Sequence, residues 1–199
     1  MTRAGPDMVS GPLAAHVRLN DPAALTQVYR VHQAPLVRYA HRLTGSIETA
    51  HDVVQDVFVK LWEQRETLIV ELSLQALLYT MTRNRALNQN RRRTRIAPDV
   101  EVEDAHHQAT HSADPVAPDA VLQARELGRY LRRWIGELPP RRAEAFALSR
   151  FDGLSHAEIA TVMGLSIRTV DTHIVHALRD LRHRLDALVG APSRQPLAP

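Results

Sequence analysis

Residues 153–185 contain the pattern that most constrains the fold, because they describe two helices joined by a tight turn. Ser155 and Glu158 have the S-x-x-E spacing of a capping box, which marks the start of a helix. Gly164 supplies the turn, and Ser166 can cap a second helix. The buried apolar stripe of the second helix is predicted to consist of Ile167, Val170, Ile174, Ala177, Leu178, Leu181 and Leu185. The segment therefore predicts a helix-turn-helix.

The opposite side of the second helix is polar and basic, and we expect it to face DNA. A single helix fits the major groove, which is ~12 Å wide. The candidate contacts are Arg168, Thr169, Asp171, Thr172, His173, His176 and Arg179. Asp171 has two interpretations, because its carboxylate can accept from a cytosine amino group or orient Arg168. The alternative for the whole segment is an amphipathic surface helix without a DNA partner.

Composition narrows the class of protein. A chain of 199 residues allows one or two domains. It has no cysteine, so disulfides and thiolate metal sites are excluded, which fits a cytoplasmic protein. No apolar run approaches the ~20 residues of a membrane span, and the first residues lack the apolar core of a secretory signal.

Charge is distributed unevenly along the chain. Six arginines and no acid lie between Arg83 and Arg95, whereas six acids and no lysine or arginine lie between Ile96 and Ala120. A basic block followed by an acidic one indicates a polyanion-binding surface followed by a solvated linker.

Three helices are predicted before the acidic segment. Asp21 and Pro22 form a helix start, and this first helix is expected to be kinked or interrupted at Pro35. Ser46 and Ser73 can cap the second and third helices. The second helix has the clearest apolar period, at Ala50, Val53, Val54, Val57, Phe58, Leu61 and Trp62.

The third helix carries the basic block, and its polar face is a second candidate DNA surface. The spacing of Asn84, Asn88, Arg91 and Arg95 places them on one face, with Arg85 and Arg92 beside it. Arginines contact phosphates, and asparagines bond to base edges or backbone. The alternative is a solvated helix end whose arginines suit the negative end of the helix dipole. The lack of a compensating acid within the block favours binding.

The rest of the chain completes an all-α prediction. A helix ending at Pro139 and a short helix from Arg142 to Leu148 precede the helix-turn-helix, and no alternating strand pattern occurs. We therefore expect two small helical bundles joined by a flexible acidic linker. The predicted segments are a disordered N-terminus 1–19, a first bundle 20–95, a linker 96–118, a second bundle 119–188 and a disordered tail 189–199.

The order of these parts resembles the extracytoplasmic-function (ECF) sigma factors of bacterial RNA polymerase. The resemblance covers about residues 21–188 and rests on three segments. The first, AHDVVQDVFVKLWEQR, resembles the region 2 helix that binds the clamp of the largest polymerase subunit. The second, SLQALLYTMTRNRALNQNRRR, resembles the helix that binds the promoter −10 element. The third, residues 138–185, is similar to region 4, which reads the −35 element and touches the flap of the second-largest subunit.

The resemblance implies three groups of site residues. It implies that Asp52, Gln55, Asp56 and Lys60 contact core polymerase; without it, solvation alone would explain these side chains. It also implies that the −10 element contacts Asn84, Arg85, Asn88, Arg91 and Arg92, and that the seven residues of the second helix named above face the −35 element. Two positions depart from many relatives, which have tryptophan at Leu77 and aspartate at Asn88.

By the same resemblance, the chain is an alternative sigma factor that binds core RNA polymerase and promoter DNA and directs transcription initiation. An anti-sigma factor is the implied regulatory partner. The linker either lies in the RNA channel of the polymerase, where its charge imitates nucleic acid, or is a passive tether. The rival interpretation is a helix-turn-helix regulator that acts without core polymerase and reads palindromic sites as a dimer.

An enzyme is not expected, and neither is a cofactor or a metal. The chain has no G-x-G-x-x-G, P-loop or H-E-x-x-H motif. His106, His107 and His111 lie in the predicted linker, without an ordered scaffold. His173 and His176 lie one turn apart but lack an evident third ligand.

Overall fold

The computed structural model describes residues 21–65, 73–96 and 118–190, which are helical without a strand. These ranges form seven helices: α1 Pro22–Thr44, α2 Ile47–Glu63, α3 Leu74–Ile96, α4 Pro118–Gly136, α5 Pro140–Arg150, α6 His156–Met163 and α7 Ile167–Gly190. The all-α prediction is confirmed. Most of the segments predicted as N-terminus, linker and tail lie outside the described residues, and so do their linker histidines. We call α1–α3 the front module and α4–α7 the rear module.

The helices begin where their capping residues predict. Asp21 Oδ1 accepts a hydrogen bond from the Ala23 amide at 2.9 Å. Ser46 Oγ accepts from the Thr49 amide at 3.2 Å, and Ser73 Oγ accepts from the Ala76 amide at the same distance. Each bond satisfies a backbone donor that has no partner inside its own helix.

Helix α1 runs through Pro35 as one continuous helix, so the predicted interruption there is wrong, whereas the kink stays a prediction. Proline lacks the amide that would bond one turn back, which costs about 3 kcal/mol in a helix interior. Leu36, Val37 and Ala40 follow it and are all buried in the core. Burying a Leu or Val side chain stabilises by about 1.5–3 kcal/mol each, so the tertiary packing of this turn outweighs the lost hydrogen bond.

The front module packs around the apolar stripe of α2. Six of its seven predicted core residues are buried, and Trp62 is half-buried beneath the guanidinium of Arg65, 4.1 Å from the ring centre. The ring of Phe58 meets Tyr29 of α1 edge-on, with 4.9 Å between centroids. From α3, Leu74 and Leu78 enter the same core, and Leu77 packs against it.

The two modules share this core, which the prediction of two tethered bundles does not include. Leu148, Leu154 and Ile159 of the rear module belong to the same buried cluster as Leu74 and Leu78 of the front module. Helix α6 lies against α3. The modules are therefore in direct contact, in addition to any connection through the linker.

Polar side chains surround the apolar part of this contact. Arg42 forms an ion pair with Asp152, whose side chain is almost fully buried, and Gln75 Nε2 donates to the Asp152 carbonyl at 2.9 Å. Ser73 Oγ donates to the Glu158 carboxylate. A second cluster lies on Glu144, which accepts from the Tyr39 hydroxyl at 2.8 Å and from Arg83 Nε at 2.8 Å. Polar contacts of this kind are typical of interfaces between domains of one chain.

The buried apolar stripe of α7 is narrower than predicted. Val170, Ile174, Ala177 and Leu181 are buried, whereas Ile167, Leu178 and Leu185 are 52%, 38% and 36% exposed. A small second core contains Ala177 and Leu181 together with Ile135, Leu138 and Phe146. Because α4 and α5 cover only this strip of α7, the apolar residues beside it remain at the surface.

Two buried tyrosines allow a matched test of the contact between the modules. Tyr39 donates to Glu144, so Tyr39→Phe removes a charge-assisted bond and should lower the free energy of unfolding by about 1.5 kcal/mol. The buried Tyr79 hydroxyl lies near Asp152, without a hydrogen bond of good geometry. Tyr79→Phe should therefore lower the free energy of unfolding by clearly less than Tyr39→Phe does. Urea denaturation followed by circular dichroism measures both, and equal losses would contradict the assignment.

Candidate nucleic-acid interface

The helix-turn-helix is formed by α6, the turn at Gly164 and α7. Both bonds of the predicted capping box are present: the Ser155 amide donates to Glu158 Oε2 at 2.8 Å, and the Glu158 amide donates to Ser155 Oγ at 3.3 Å. Gly164 has φ 64°, a left-handed conformation that glycine adopts without strain. Ser166 Oγ accepts from the Thr169 amide at 3.1 Å and caps α7. The sequence prediction of this motif is confirmed.

The predicted DNA-facing residues of α7 are not equally accessible. Arg168, Asp171, Thr172 and Arg179 are exposed, whereas Thr169, His173 and His176 are half-buried. The Thr172 hydroxyl donates to the Arg168 carbonyl one turn back at 2.9 Å. The exposed side of α7 therefore offers two guanidinium groups and one carboxylate as its main polar groups.

Asp171 has a partner on the neighbouring helix. Its Oδ1 lies 2.5 Å from Nδ1 of His156, at the start of α6. Both side chains are about half exposed. The predicted choice between a base contact and Arg168 did not include this pair, because His156 is fifteen positions away and meets Asp171 only when the two helices cross.

His173 is held in its neutral form. Burial lowers its pKa below the usual 6.5, and the positive charges of Arg142 and Arg141 and the neighbouring His176 lower it further. Arg142 of α5 itself forms an ion pair with Asp180, which lies on α7 as His173 does. At pH 7 the imidazole of His173 is therefore uncharged.

The basic face of α3 is exposed but is not free of acids. Asn84, Asn88, Arg91 and Arg92 are exposed. Arg85 Nε, however, donates to Asp56 Oδ2 of α2 at 2.8 Å. Arg83 likewise pairs with Glu144 of the rear module, as described above. The argument that the block lacks a compensating acid is therefore wrong for these two arginines, because acids distant in sequence reach them.

The polar face of α2 lies directly beside this basic face. Asp52, Gln55, Asp56 and Lys60 are exposed, on the side of the helix opposite the buried stripe. A groove of about 290 Å³ runs between α2 and α3 and is lined by Asp52, Val53, Gln55, Asp56, Arg85 and Gln89. The surface with the acidic groups and the surface with the basic groups therefore meet at one groove.

Residues 21–65, 73–96 and 118–190 contain neither a cluster of metal ligands nor a membrane-spanning helix. No group of three potential metal ligands comes together there. None of the helices in these ranges is both long and apolar enough to cross a membrane.

Comparison with protein families identifies both modules. The model for Sigma-70 region 2 matches residues 28–96, and the model for Sigma-70 region 4 matches residues 128–181. The ECF RNA polymerase sigma factor SigL of Mycobacterium tuberculosis is 30% identical over 183 residues, which cover 90% of this chain and 96% of SigL. The chain belongs to the ECF sigma factors.

Other sigma factors show the same similarity over most of their length. SigW of Bacillus subtilis is 22% identical over 85% of this chain and 92% of its own. The sigma factor RpoE of Bartonella quintana, solved in complex with the anti-sigma factor NepR, has a TM-score of 0.60 at 25% identity, over 84% of this chain and 97% of that one. CnrH, solved with the cytosolic domain of CnrY, has a TM-score of 0.61 at 23% identity, over 90% and 98%, and supports the fold.

An ECF sigma factor directs RNA polymerase to promoters and to the initiation of transcription. It performs no bond chemistry itself, since the polymerase contains the active site. The helix-turn-helix is the DNA-binding motif of its region 4. The rival interpretation, a regulator that acts without polymerase, is therefore set aside.

The neutral state of His173 gives a pH prediction for this sigma factor. Its imidazole should titrate below pH 6.5 in the folded chain, and Arg142→Gln should raise that pKa because it removes a nearby positive charge. NMR of the histidine ring protons as a function of pH measures both values. A titration of His173 at or above 6.5 would contradict the described environment.

Proposed function

We propose that three polar surfaces bind core polymerase, the −10 element and the −35 element. The core-binding surface of α2 consists of Asp52, Gln55, Asp56 and Lys60. The −10 surface of α3 consists of Asn84, Arg85, Asn88, Arg91 and Arg92. The −35 surface of α7 consists of Arg168, Thr169, Asp171, Thr172, His173, His176 and Arg179. The observation that carries the proposal is that most members of each set are exposed, inside a segment matched by region 2 or region 4.

At the −35 element, α7 enters the major groove of duplex DNA. Arg168 lies in its first turn, where a recognition helix brings side chains to base edges. Arg179 lies three turns further along and binds phosphate. The pair formed by His156 and Asp171 sets the orientation of the carboxylate near the groove, so that Asp171 does not point freely at the phosphates.

At the −10 element, α3 binds a separated strand. Exposed arginines follow the backbone, and exposed asparagines bond to the edges of unstacked bases. Leu77 packs against the core, so the proposal gives no base-stacking role to the position where many relatives have tryptophan. At position 88, where many relatives have aspartate, Asn88 has a neutral amide. This amide can both donate a hydrogen bond to a base and accept one from it.

The modules must separate before they can hold both elements. Positions −35 and −10 are about 25 base pairs apart, or about 85 Å of duplex at 3.4 Å per pair, whereas α3 and α6 are in contact in this structure. Residues 97–117 can extend to about 70 Å. We propose that this segment connects the separated modules and that its acids lie in the RNA channel of the polymerase; a passive tether is the alternative.

We propose two further properties by analogy. RpoE was solved with the anti-sigma factor NepR, and this chain is proposed to have an anti-sigma partner that masks the same surfaces. The place of action is proposed to be the cytoplasm, where core polymerase and the chromosome meet.

Two arginines of α7 distinguish base reading from phosphate binding. Arg168→Ala should lower promoter affinity about ten-fold or more and remove a base preference in the −35 element. Arg179→Ala should weaken binding to every sequence alike and reduce the salt slope by about 0.9. Binding of the chain with core polymerase to a randomised −35 duplex library measures both. Identical base preferences for Arg168→Ala and the unmodified chain would contradict the assignment.

Charge reversal on α2 tests the core-binding surface. Asp52→Lys should lower the affinity for core polymerase about ten-fold, because like charges face each other at the interface. Glu63→Lys is the matched control, since Glu63 is also exposed on α2 but lies outside the proposed surface. Competition with a fluorescent chain for core polymerase measures affinity, and run-off transcription on genomic DNA measures initiation. Equal losses of affinity for core polymerase in both variants would contradict the proposed core-binding surface.

A further inference from the structure

One ion pair joins two surfaces that are proposed to bind different partners. Arg85 belongs to the −10 surface, and Asp56 belongs to the core-binding surface. Arg85 directs both Nε and Nη2 at the same oxygen, Asp56 Oδ2, with an Nε–Oδ2 distance of 2.8 Å. The pair bridges α2 and α3, whose facing side chains are set by the buried core beneath them.

The pair stands at an open groove. Asp52 and Gln55 line that groove together with Asp56 and Arg85. The side chains of Arg85 and Asp56 are 43% and 49% exposed, so both are within reach of a macromolecule that approaches either helix. A protein that binds the acidic face of α2 therefore contacts the carboxylate that holds Arg85.

The bound carboxylate opposes a phosphate contact by Arg85. It occupies two guanidinium donors on one edge, which is the edge that forms a two-bond contact with an anion. Its negative charge also cancels the guanidinium charge at the place where a DNA phosphate would lie. An exposed pair of this kind is weak, worth up to about a five-fold change in an equilibrium, and can therefore exchange partners.

We propose that Asp56 withholds Arg85 from DNA in the free chain and that core polymerase releases it by taking over Asp56. Binding of the polymerase to α2 then strengthens binding of the −10 strand to α3. By linkage, the strand strengthens polymerase binding by the same factor. The inference rests on the proposed function, because it requires the assigned partners of α2 and α3.

The test measures single-strand binding by the free full-length chain. Fluorescence anisotropy with a labelled mixed-sequence single-stranded DNA gives the affinity and its salt dependence. Asp56→Asn should raise affinity about two- to five-fold and increase the salt slope by about 0.7, the value of one additional phosphate contact on a single strand. Glu63→Gln removes one charge from the same helix without freeing Arg85, so it should change affinity less than half as much.

A double variant separates release of Arg85 from a general charge effect. In an Arg85→Gln background, Asp56→Asn should have no more effect than Glu63→Gln. A gain that persists in this background, or equal gains from Asp56→Asn and Glu63→Gln in the unmodified chain, would overturn the proposal. Thermal unfolding of each variant verifies that these exposed substitutions leave the fold intact.

Measurements with core polymerase distinguish failure of this inference from failure of the proposed function. Arg85→Gln should weaken single-strand binding by the polymerase complex while leaving that of the free chain nearly unchanged. If the complex is not weakened, Arg85 does not bind the −10 strand, and the assigned role of α3 fails with the inference. If the free chain and the complex are weakened equally, Arg85 contacts DNA at all times and only the release mechanism fails.

Discussion

The contact between the two modules contains a buried charge, the carboxylate of Asp152, beside the apolar core that the modules share. Arg42 pairs with it from α1, and Gln75 of α3 bonds to the backbone carbonyl of the same residue. Burial raises the pKa of Asp152 more than Arg42 lowers it, so the charged form costs stability at neutral pH and less as the pH falls through that raised pKa. This cost makes the contact between the modules easier to separate than a contact made of the shared apolar core alone.

The polar groups of this contact affect how easily the two modules of this sigma factor separate. By the proposed function, the modules bind −35 and −10 elements that are too far apart for modules in direct contact, so the modules must separate on a promoter. Separation exposes the shared apolar core to water, and an interface made only of such side chains would cost more to open. Ion pairs and hydrogen bonds exchange with water or with polymerase groups at lower cost. The polar rim formed by Glu144, Glu158 and Asp152 therefore lowers the cost of the separation that the proposed function requires.

Acids from distant parts of the chain determine what the arginines can do. Six arginines and no acid lie between Arg83 and Arg95. The sequence alone therefore predicts a basic surface without compensating acids. In the folded chain Arg83 is committed to Glu144 and Arg85 to Asp56, whereas Arg91 and Arg92 remain exposed. The positive field thus lies mainly toward the C-terminal half of α3. His156 and Asp171 show the same effect on the −35 surface, where a neighbouring helix supplies the partner of a residue whose role the sequence left ambiguous.

The sequence by itself determined the features that depend on neighbours within about four positions. Capping serines, the glycine turn and the apolar period of α2 specify helix starts, the helix-turn-helix and one buried stripe, because hydrogen bonds and side-chain spacing inside a helix are local. The tertiary structure alone decided the rest: that α1 continues through Pro35, that Leu178 and Leu185 stay exposed, and that the modules share a core. It also decided which acid meets which arginine. These outcomes depend on which surfaces cover one another, and that is fixed only when segments far apart in the chain pack together.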